Sequence, residues 1–356
     1  MPQLQGVGDD QAAAQLCGGL SVSEPSPLAL AAWLVVNIAI AAIGTWLARR
    51  YALRRQLVDQ PGERRSHQRP TPRGGGIGIV VSLLLSLAWL AAGHATHGPM
   101  LCATAIGVAL VAGVGWIDDH RPLSPWPRLL VQAIAALALA WGVHAEGGGA
   151  GAMVLAFAAA MVLTNVWNFM DGIDGLAASQ ALIAAAAYGL LAGAGVSGLL
   201  ALALAAACLG FLPFNLPRAR IFLGDVGSGT LGYALAALVA WLALGEGIPR
   251  ALLLLLPLSA FLIDASLTLA ARIAGGQRWW LPHTEHAYQH WARREGHGKV
   301  TLAYAGWTAL ACLGMLAGRT AAPAFIIPGL LVAGLGGGGA WASLRWSSRG
   351  REDTKE

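Results

Sequence analysis

The run Met153-Val154-Leu155-Ala156-Phe157-Ala158-Ala159-Ala160-Met161-Val162-Leu163 passes through Thr164 into Asn165-Val166-Trp167-Asn168-Phe169-Met170-Asp171-Gly172-Ile173-Asp174-Gly175. The first part is apolar without interruption. The second packs two carboxylates, two amides and two glycines into eleven residues. An apolar run that ends in ionisable groups reads as a membrane span closing at a polar boundary, where such groups need partners or a task. On a helix, Asp171 and Asp174 share one face. Gly172 and Gly175 favour instead a turn that lets a ligand approach the backbone. Either arrangement aims two acceptors at one spot, and the plain alternative is a polar cap at the water boundary.

The rest of the chain extends the membrane reading. It is 56% hydrophobic and 12% charged, with mean hydropathy +0.59, too apolar for a soluble globule of this length. Eleven apolar runs have spanning character: 28–48, 74–93, 100–117, 128–144, 152–168, 179–195, 197–214, 228–245, 250–272, 300–317 and 323–343. The expected fold is therefore an all-α polytopic membrane protein of about 11 transmembrane helices. Residues 28–343 form the membrane domain, between an outer segment 1–27 and a tail 344–356.

Lys and Arg set the orientation. Residues 1–27 carry none, whereas the next loop carries Arg49, Arg50, Arg54, Arg55, Arg64, Arg65, Arg69 and Arg73. Alternation puts nearly every other base in the loops near 120, 172, 220 and 285 and in the tail. The opposite side keeps only Arg250 and Arg319. The expected N-terminus is periplasmic and the C-terminus cytoplasmic. The net charge of +5 is then a topology signal that favours anionic membrane lipid, with no nucleic-acid partner. The N-terminus lacks a basic n-region, so the first span is expected to stay as an anchor. Cys17, Cys102, Cys208 and Cys312 have no paired or metal-like spacing and read as small apolar residues.

The inner loops carry the chemistry. The first, from Val58 to Gly76, includes Arg65-Ser66-His67 and Thr71-Pro72-Arg73-Gly74-Gly75-Gly76. Its bases, hydroxyls and glycine amides suit phosphate oxygens. The second closes a span with Asp118-Asp119-His120-Arg121, and paired carboxylates suit Mg²⁺ shared with substrate phosphates. The fourth reads Phe222-Leu223-Gly224-Asp225-Val226-Gly227-Ser228. Its aromatic can stack on a nucleobase or anchor at the interface. Asp264 lies inside a span, as a functional carboxylate or as a partner of Arg272 or of a neighbouring helix. The last loop holds His283, His286 and His290. With no cysteine near and carboxylates suiting a harder ion, zinc is disfavoured, and His286 reads as a group that positions or neutralises phosphate. Asp118, Asp119, Asp171, Asp174, Asp225 and His286 thus share one membrane face.

This order of motifs resembles the polyprenyl-phosphate N-acetylhexosamine-1-phosphate transferases, the family of lipid I synthase and of the enzymes that start O-antigen and enterobacterial common antigen. The resemblance runs over about residues 45–300. It rests on Asp118-Asp119, Asn165-x-x-Asn168-Phe169-x-Asp171-Gly172-x-Asp174-Gly175-Leu176, Phe222-x-Gly224-Asp225-x-Gly227-Ser228 and His286. Arg65-Ser66-His67 and His286-Ala287-Tyr288-Gln289 look more like the O-antigen branch than lipid I synthase. There are two departures. Arg121 and Pro122 stand where some members have Lys, and Thr284 stands where the O-antigen branch often has Arg. Phosphate contacts are then expected from Arg121, Arg278 or Arg73, beside Arg65 and Thr71.

The resemblance implies a bacterial inner-membrane enzyme. It would move N-acetylhexosamine-1-phosphate from a UDP-N-acetylhexosamine to undecaprenyl phosphate, release UMP and use Mg²⁺ (or Mn²⁺); a homodimer is allowed for. In this scheme Asp225 holds the metal, with Asp118 as a second ligand, and Phe222 lies on uracil. Asp118 or Asp119 stands as an alternative base, although a phosphate whose second pKa is about 6 hardly needs one. Asp171 and Asp174 orient nucleotide or metal-bound water, supported by Asn168. The competing readings are lipid I synthase, a proton-coupled secondary transporter and a structural scaffold. A transporter would place its carboxylates near the midplane of repeated halves, whereas these cluster at one face and no repeat is visible.

Overall fold

The computed structural model describes residues 26–59, 70–216, 218–278, 280–281 and 283–352. Arg65, Ser66 and His67 of the expected phosphate loop, Trp279 and residues 1–25 lie outside the described residues. The chain is helical nearly throughout: α1 Pro27–Arg55, α2 Ile77–Gly93, α3 Gly98–His120, α4 Pro125–Ala145, α5 Ala150–Phe169, α6 Leu176–Ala192, α7 Val196–Asn215 and α8 Asp225–Leu242. There follow α9 Ile248–Leu253, α10 Ser259–Ala274, α11 Ala287–Glu295, α12 His297–Gly318 and α13 Pro323–Glu352. Among the described residues, nine helices or helix pairs are long and apolar enough to cross a membrane, and α2 and α6 are shorter apolar helices. These eleven coincide with the eleven apolar runs of the sequence. The last helix continues past 343 to Glu352 without a break. In lipid the backbone must satisfy its own hydrogen bonds, which is why apolar runs of this length become helices.

The bundle is organised around α8. Every residue from Val226 to Trp241 is buried, the mark of a helix surrounded by others. It packs on α3 and α5, while α1 packs on α7 and α6 on α7. Small residues allow the close approach: a Cβ on Gly232 would stand 2.1 Å from the Leu163 carbonyl oxygen of α5. In contrast, α13 turns Leu331, Val332 and Leu335 outward, as a lipid-facing helix does.

The run 250–272, expected as one span, is broken. Pro257 lacks an N–H and crowds the preceding turn, so α9 ends at Leu253 and a 3₁₀ turn over Leu256–Leu258 leads into α10. Leu258 N donates to Leu255 O rather than to Leu254 O. The carbonyl freed in this way accepts the Tyr188 hydroxyl at 2.6 Å, so α6 satisfies the break from outside.

The loop before α2 also differs from its expected role. Val58–Asp59 (β1) pairs antiparallel with Thr71–Pro72 (β2). Gly75 N donates to Phe222 O and Gly76 N to Leu223 O, each at 2.9 Å, and Phe222 N donates to Pro72 O at 2.8 Å. The amides of Gly75 and Gly76 are therefore used to hold the 220–224 segment and do not form a phosphate cradle.

Candidate active site

The site grows from the N-terminus of α8. A helix start leaves several backbone N–H groups without partners inside the helix, and Gly224 has no side chain with which to cap them. Asp119, at the end of α3, supplies the cap. Its Oδ1 accepts from Asp225 N and its Oδ2 from Val226 N, both at 3.1 Å. Negative charge at this helix end is also favoured by the helix dipole. Gly224 is required in this arrangement. Its φ is +76°, and a Cβ would stand 2.6 Å from Asp119 Oδ2. The order Gly224-Asp225 thus lets Asp119 reach the helix and fixes where Asp225 begins it. Asp119 is 4% exposed and both its oxygens are engaged. This geometry fits a positioning group better than the base considered from sequence.

Asp118 points elsewhere, because adjacent helical residues diverge by about 100° around the axis. Its Oδ1 accepts from Leu123 N at 2.6 Å and its Oδ2 from Arg128 Nη1 at 2.9 Å. The same Nη1 lies 3.1 Å from Asp225 Oδ2, and Arg128 Nη2 donates to Asn168 Oδ1 at 3.1 Å. Asn168 closes the network by donating to Asp225 Oδ1 at 2.9 Å and to Ser228 Oγ at 3.0 Å. Four helices therefore meet on one guanidinium: α3 through Asp118, α4 through Arg128, α5 through Asn168 and α8 through Asp225. Arg73 leans on the same cluster, its Nε 4.0 Å from Asp119 Oδ1.

The loop between α5 and α6 adds Asp171 and Asp174, in the turn geometry and not on a continued helix. Burial pushes the Asp171 carboxyl up to about 8, reinforced by the carboxylates of Asp225, Asp119 and Asp174. Asp174 is a tether. Its Oδ2 accepts from Ala219 N at 3.1 Å, its Oδ1 lies 3.3 Å from His297 Nδ1, and its carbonyl accepts from Thr301 Oγ1 at 2.9 Å. It joins the loop before α8 to the start of α12, and little of it faces outward.

His286 joins the assembly through Phe169, next to Asn168 in the chain. It precedes α11, is 3% exposed and stacks against Phe169, with ring centroids 6.3 Å apart. The Tyr288 hydroxyl donates to Phe169 O at 3.0 Å, which fastens the histidine loop to the Asn168–Asp171 segment. His283 stacks on His286 at 4.9 Å. Burial first, then His286 and Arg272, pushes it down to about 4, so it is a neutral neighbour.

Of the two structural partners read for Asp264 from sequence, Arg272 and a neighbouring helix, it takes the neighbouring helix. Arg272 bonds Glu285, while both oxygens of Asp264 cap α11 at Ala287 N (2.9 Å) and Tyr288 N (3.0 Å). Arg121 is exposed at the end of α3, Thr71 is buried in the short strand pair, Phe222 is half-buried with its backbone bound to the 72–75 segment, and Arg278 is exposed.

Arg128 is the residue missed by reading the chain. It sits one turn into a span after Pro125-Trp126-Pro127, and a base there reads as a mark of membrane orientation. Its role was visible only as a charge at the edge of an apolar run. His297, the partner of Asp174, lies among several charged residues and carries no signal of its own in the sequence.

Among the described residues, no three His, Cys, Asp or Glu side chains converge as a ready metal cage. Mg²⁺, however, takes one or two carboxylates and completes its shell with water and substrate phosphate. Asp118 and Asp225 direct an oxygen each at a single cationic atom of Arg128, which stands where positive charge is wanted. This all-oxygen donor pair fits a hard divalent ion.

The profile of glycosyl transferase family 4 matches residues 101–243, from α3 through α8. The chain is 38% identical over 232 residues to a decaprenyl-phosphate N-acetylglucosaminephosphotransferase of Mycobacterium tuberculosis, covering 55% of this chain and 57% of the relative. It is 31% identical over 219 residues to a probable undecaprenyl-phosphate N-acetylglucosaminyl 1-phosphate transferase of Bacillus subtilis, covering 57% and 60%. The chain thus spans less than two thirds of the length of these two relatives. A phospho-N-acetylmuramoyl-pentapeptide-transferase of Synechococcus sp. (strain JA-3-3Ab) is 30% identical over 324 residues, 82% of this chain and 85% of the relative. The profile covers the helices that meet on Arg128, and the cyanobacterial alignment carries the likeness through most of the remaining chain: this chain belongs to glycosyl transferase family 4.

Proposed function

We propose that the chain transfers a sugar-1-phosphate from a nucleotide sugar to a polyprenyl phosphate in the membrane. In finer detail the donor is a UDP-N-acetylhexosamine and the acceptor undecaprenyl phosphate, at the cytoplasmic face of a bacterial inner membrane. The product enters O-antigen or a related cell-envelope glycan. The observation that carries this reading is the meeting of Asp118, Asn168 and Asp225 on Arg128. In the reaction, an oxygen of the lipid phosphate attacks the sugar-linked phosphorus. One P–O bond forms, the bond to the bridging oxygen breaks, and UMP leaves with that oxygen and its electron pair.

Phosphoryl transfer of this kind needs alignment and charge neutralisation more than covalent help. Asp225 and Asp118 would hold Mg²⁺ (or Mn²⁺), which when bound supplies positive charge to the diphosphate oxygens. Arg128 brings a fixed cation to the same place. Asp119 sets the position of Asp225 through α8, and Asn168 holds the Asp225 carboxylate. His286 and Arg73 are further hydrogen-bonding and cationic groups for phosphate, and half-buried Phe222, three residues before Asp225, is the aromatic for a base to stack on.

The test is UMP release by the purified protein in detergent with undecaprenyl phosphate, Mg²⁺ and a panel of UDP-N-acetyl sugars. Release with one donor, lost on EDTA, is the expected result. Release with none would overturn the reading. Asp225→Asn should abolish turnover while the protein melts as wild type does, and full activity in that variant would remove Asp225 from the metal site. The Synechococcus alignment favours a second donor, UDP-N-acetylmuramoyl-pentapeptide, and including it in the panel separates the two.

A further inference from the structure

Two buried aspartates build this site in the same way. Asp119 reaches from α3 to cap the helix that begins with Asp225, and Asp264 reaches from α10 to cap the helix that His286 precedes. The second of these has no place in the chemistry described so far. Asp264 is 2% exposed and accepts four hydrogen bonds. Ala287 N (2.9 Å) and Thr268 Oγ1 (3.1 Å) bind Oδ1, while Tyr288 N (3.0 Å) and the Tyr304 hydroxyl (2.8 Å) bind Oδ2. Its Oδ1 also lies 3.6 Å from His286 Nδ1. That separation is beyond a hydrogen bond, and Nδ1 is buried with no hydrogen-bond partner. A buried carboxylate facing a buried ring nitrogen favours the proton on that nitrogen.

We propose that Asp264 is a positioning residue that acts through His286: it fixes the ring against Phe169, keeps the proton on Nδ1, and so leaves the Nε2 lone pair to accept a hydrogen bond from a protonated phosphate oxygen of the lipid acceptor. The proposal rests on the transferase reading above for its kinetic arm. Among the described residues, the other titratable or charged groups around His286 are His283 and Glu285 from its own loop, Arg272 from α10, Tyr288 from α11, Tyr304 from α12, Arg345 from α13 through Glu285, and Asp171 from the α5–α6 loop. Among these, His283 is neutral and the phenols of Tyr288 and Tyr304 are hydrogen-bond donors. Arg272 is joined to Glu285, and Asp264 Oδ1 stands 3.6 Å from Nδ1, so Asp264 is an anion that His286 meets directly.

The test is a cycle of four proteins: wild type, Asp264→Asn, His286→Asn and the double variant. Asp264→Asn should lower kcat about 10–100-fold, the usual effect of removing a group that orients a site histidine, with KM for the nucleotide sugar little changed. The double variant should be no slower than His286→Asn alone, because the effect passes through the ring. A merely structural cap would give losses that multiply, and that result overturns the proposal. If Asp264→Asn does not fold, Tyr304→Phe replaces it in the cycle. It removes one hydrogen bond from Asp264 and keeps the carboxylate, and its smaller loss should likewise vanish in the His286→Asn background. An activity-independent arm uses ¹⁵N-labelled histidine, with the His286 signal assigned by its disappearance in His286→Asn. In wild type it should report a protonated Nδ1, and in Asp264→Asn it should shift. An unchanged signal overturns the proposal even if turnover is observed, whereas a protein with the expected signal and no turnover overturns the transferase reading alone.

Discussion

Replacing Arg128 by Met keeps an apolar stem of similar length and removes the charge on which the site converges. In the wild type, Nη1 serves Asp118 Oδ2 at 2.9 Å and Asp225 Oδ2 at 3.1 Å, and Nη2 serves Asn168 Oδ1 at 3.1 Å. Hydrogen bonds to charged groups contribute about 1.5–3 kcal/mol each, and breaking a buried ion pair by removing one partner costs about 3–5 kcal/mol. The Arg128 side chain is 24% exposed and that of Asp225 29%, so solvent screens part of this. A loss of about 3 kcal/mol is expected with EDTA present, much of it repulsion between two carboxylates left facing one another. Divalent cation should recover much of this loss. It should also stabilise the variant more than wild type, where Arg128 competes for the same oxygens. Turnover should still fall about 10²–10³-fold, as when one preorganised electrostatic donor is removed. The assay is tryptophan-monitored denaturation with EDTA and with Mg²⁺, followed by UMP release. Unchanged metal-free stability together with an unchanged Mg²⁺ response would refute the network as a charge-balancing device.

Asp119→Asn leaves one acceptor oxygen for two backbone N–H groups, so the α8 start should lose about 1–2 kcal/mol, read by the denaturation midpoint; a wild-type midpoint would deny Asp119 its capping role. For Asp171, the carboxyl is pushed from 3.8 to about 8 in the folded protein, so the folded state holds its proton more tightly than the unfolded chain. The stability linked to that proton is fully present below about pH 4 and is lost as pH rises through about 8. With EDTA, the wild-type melting temperature should therefore fall from pH 5 to pH 8.5 more steeply than that of Asp171→Asn. Parallel curves for the two proteins would remove Asp171 as the cause.

How far the site could be read from the chain depended on the kind of signal. Carboxylates at the ends of apolar runs stand out because their placement is expensive, and Asp118, Asp171 and Asp225 are conspicuous in the chain for that reason. The division of labour between Asp118 and Asp119 was not legible, since neighbouring helical residues look alike in sequence and face different partners in space. Asp118 turns to Arg128, and Asp119 to the α8 backbone. The glycines at 75 and 76 misled for a related reason: free amides before a helix look available for phosphate until another segment, here Phe222 and Leu223, accepts from them.

By itself, the sequence determined where the apolar helices lie, except for the break near Pro257, because hydropathy and length act locally and lipid leaves the backbone no other regular solution for an apolar run. It also determined that the ionisable groups gather at one end of those helices, because the polar breaks alternate with the spans. Only the tertiary structure decided what each group does there. Arg128 became the hub because α4 is packed between α3 and α5, beside the start of α8. Asp264 became a cap for α11, and Tyr188 satisfied the carbonyl freed near Pro257, for the same reason. A buried polar atom takes its partner from whatever packing brings within about 3 Å, and that partner is usually far away in the chain.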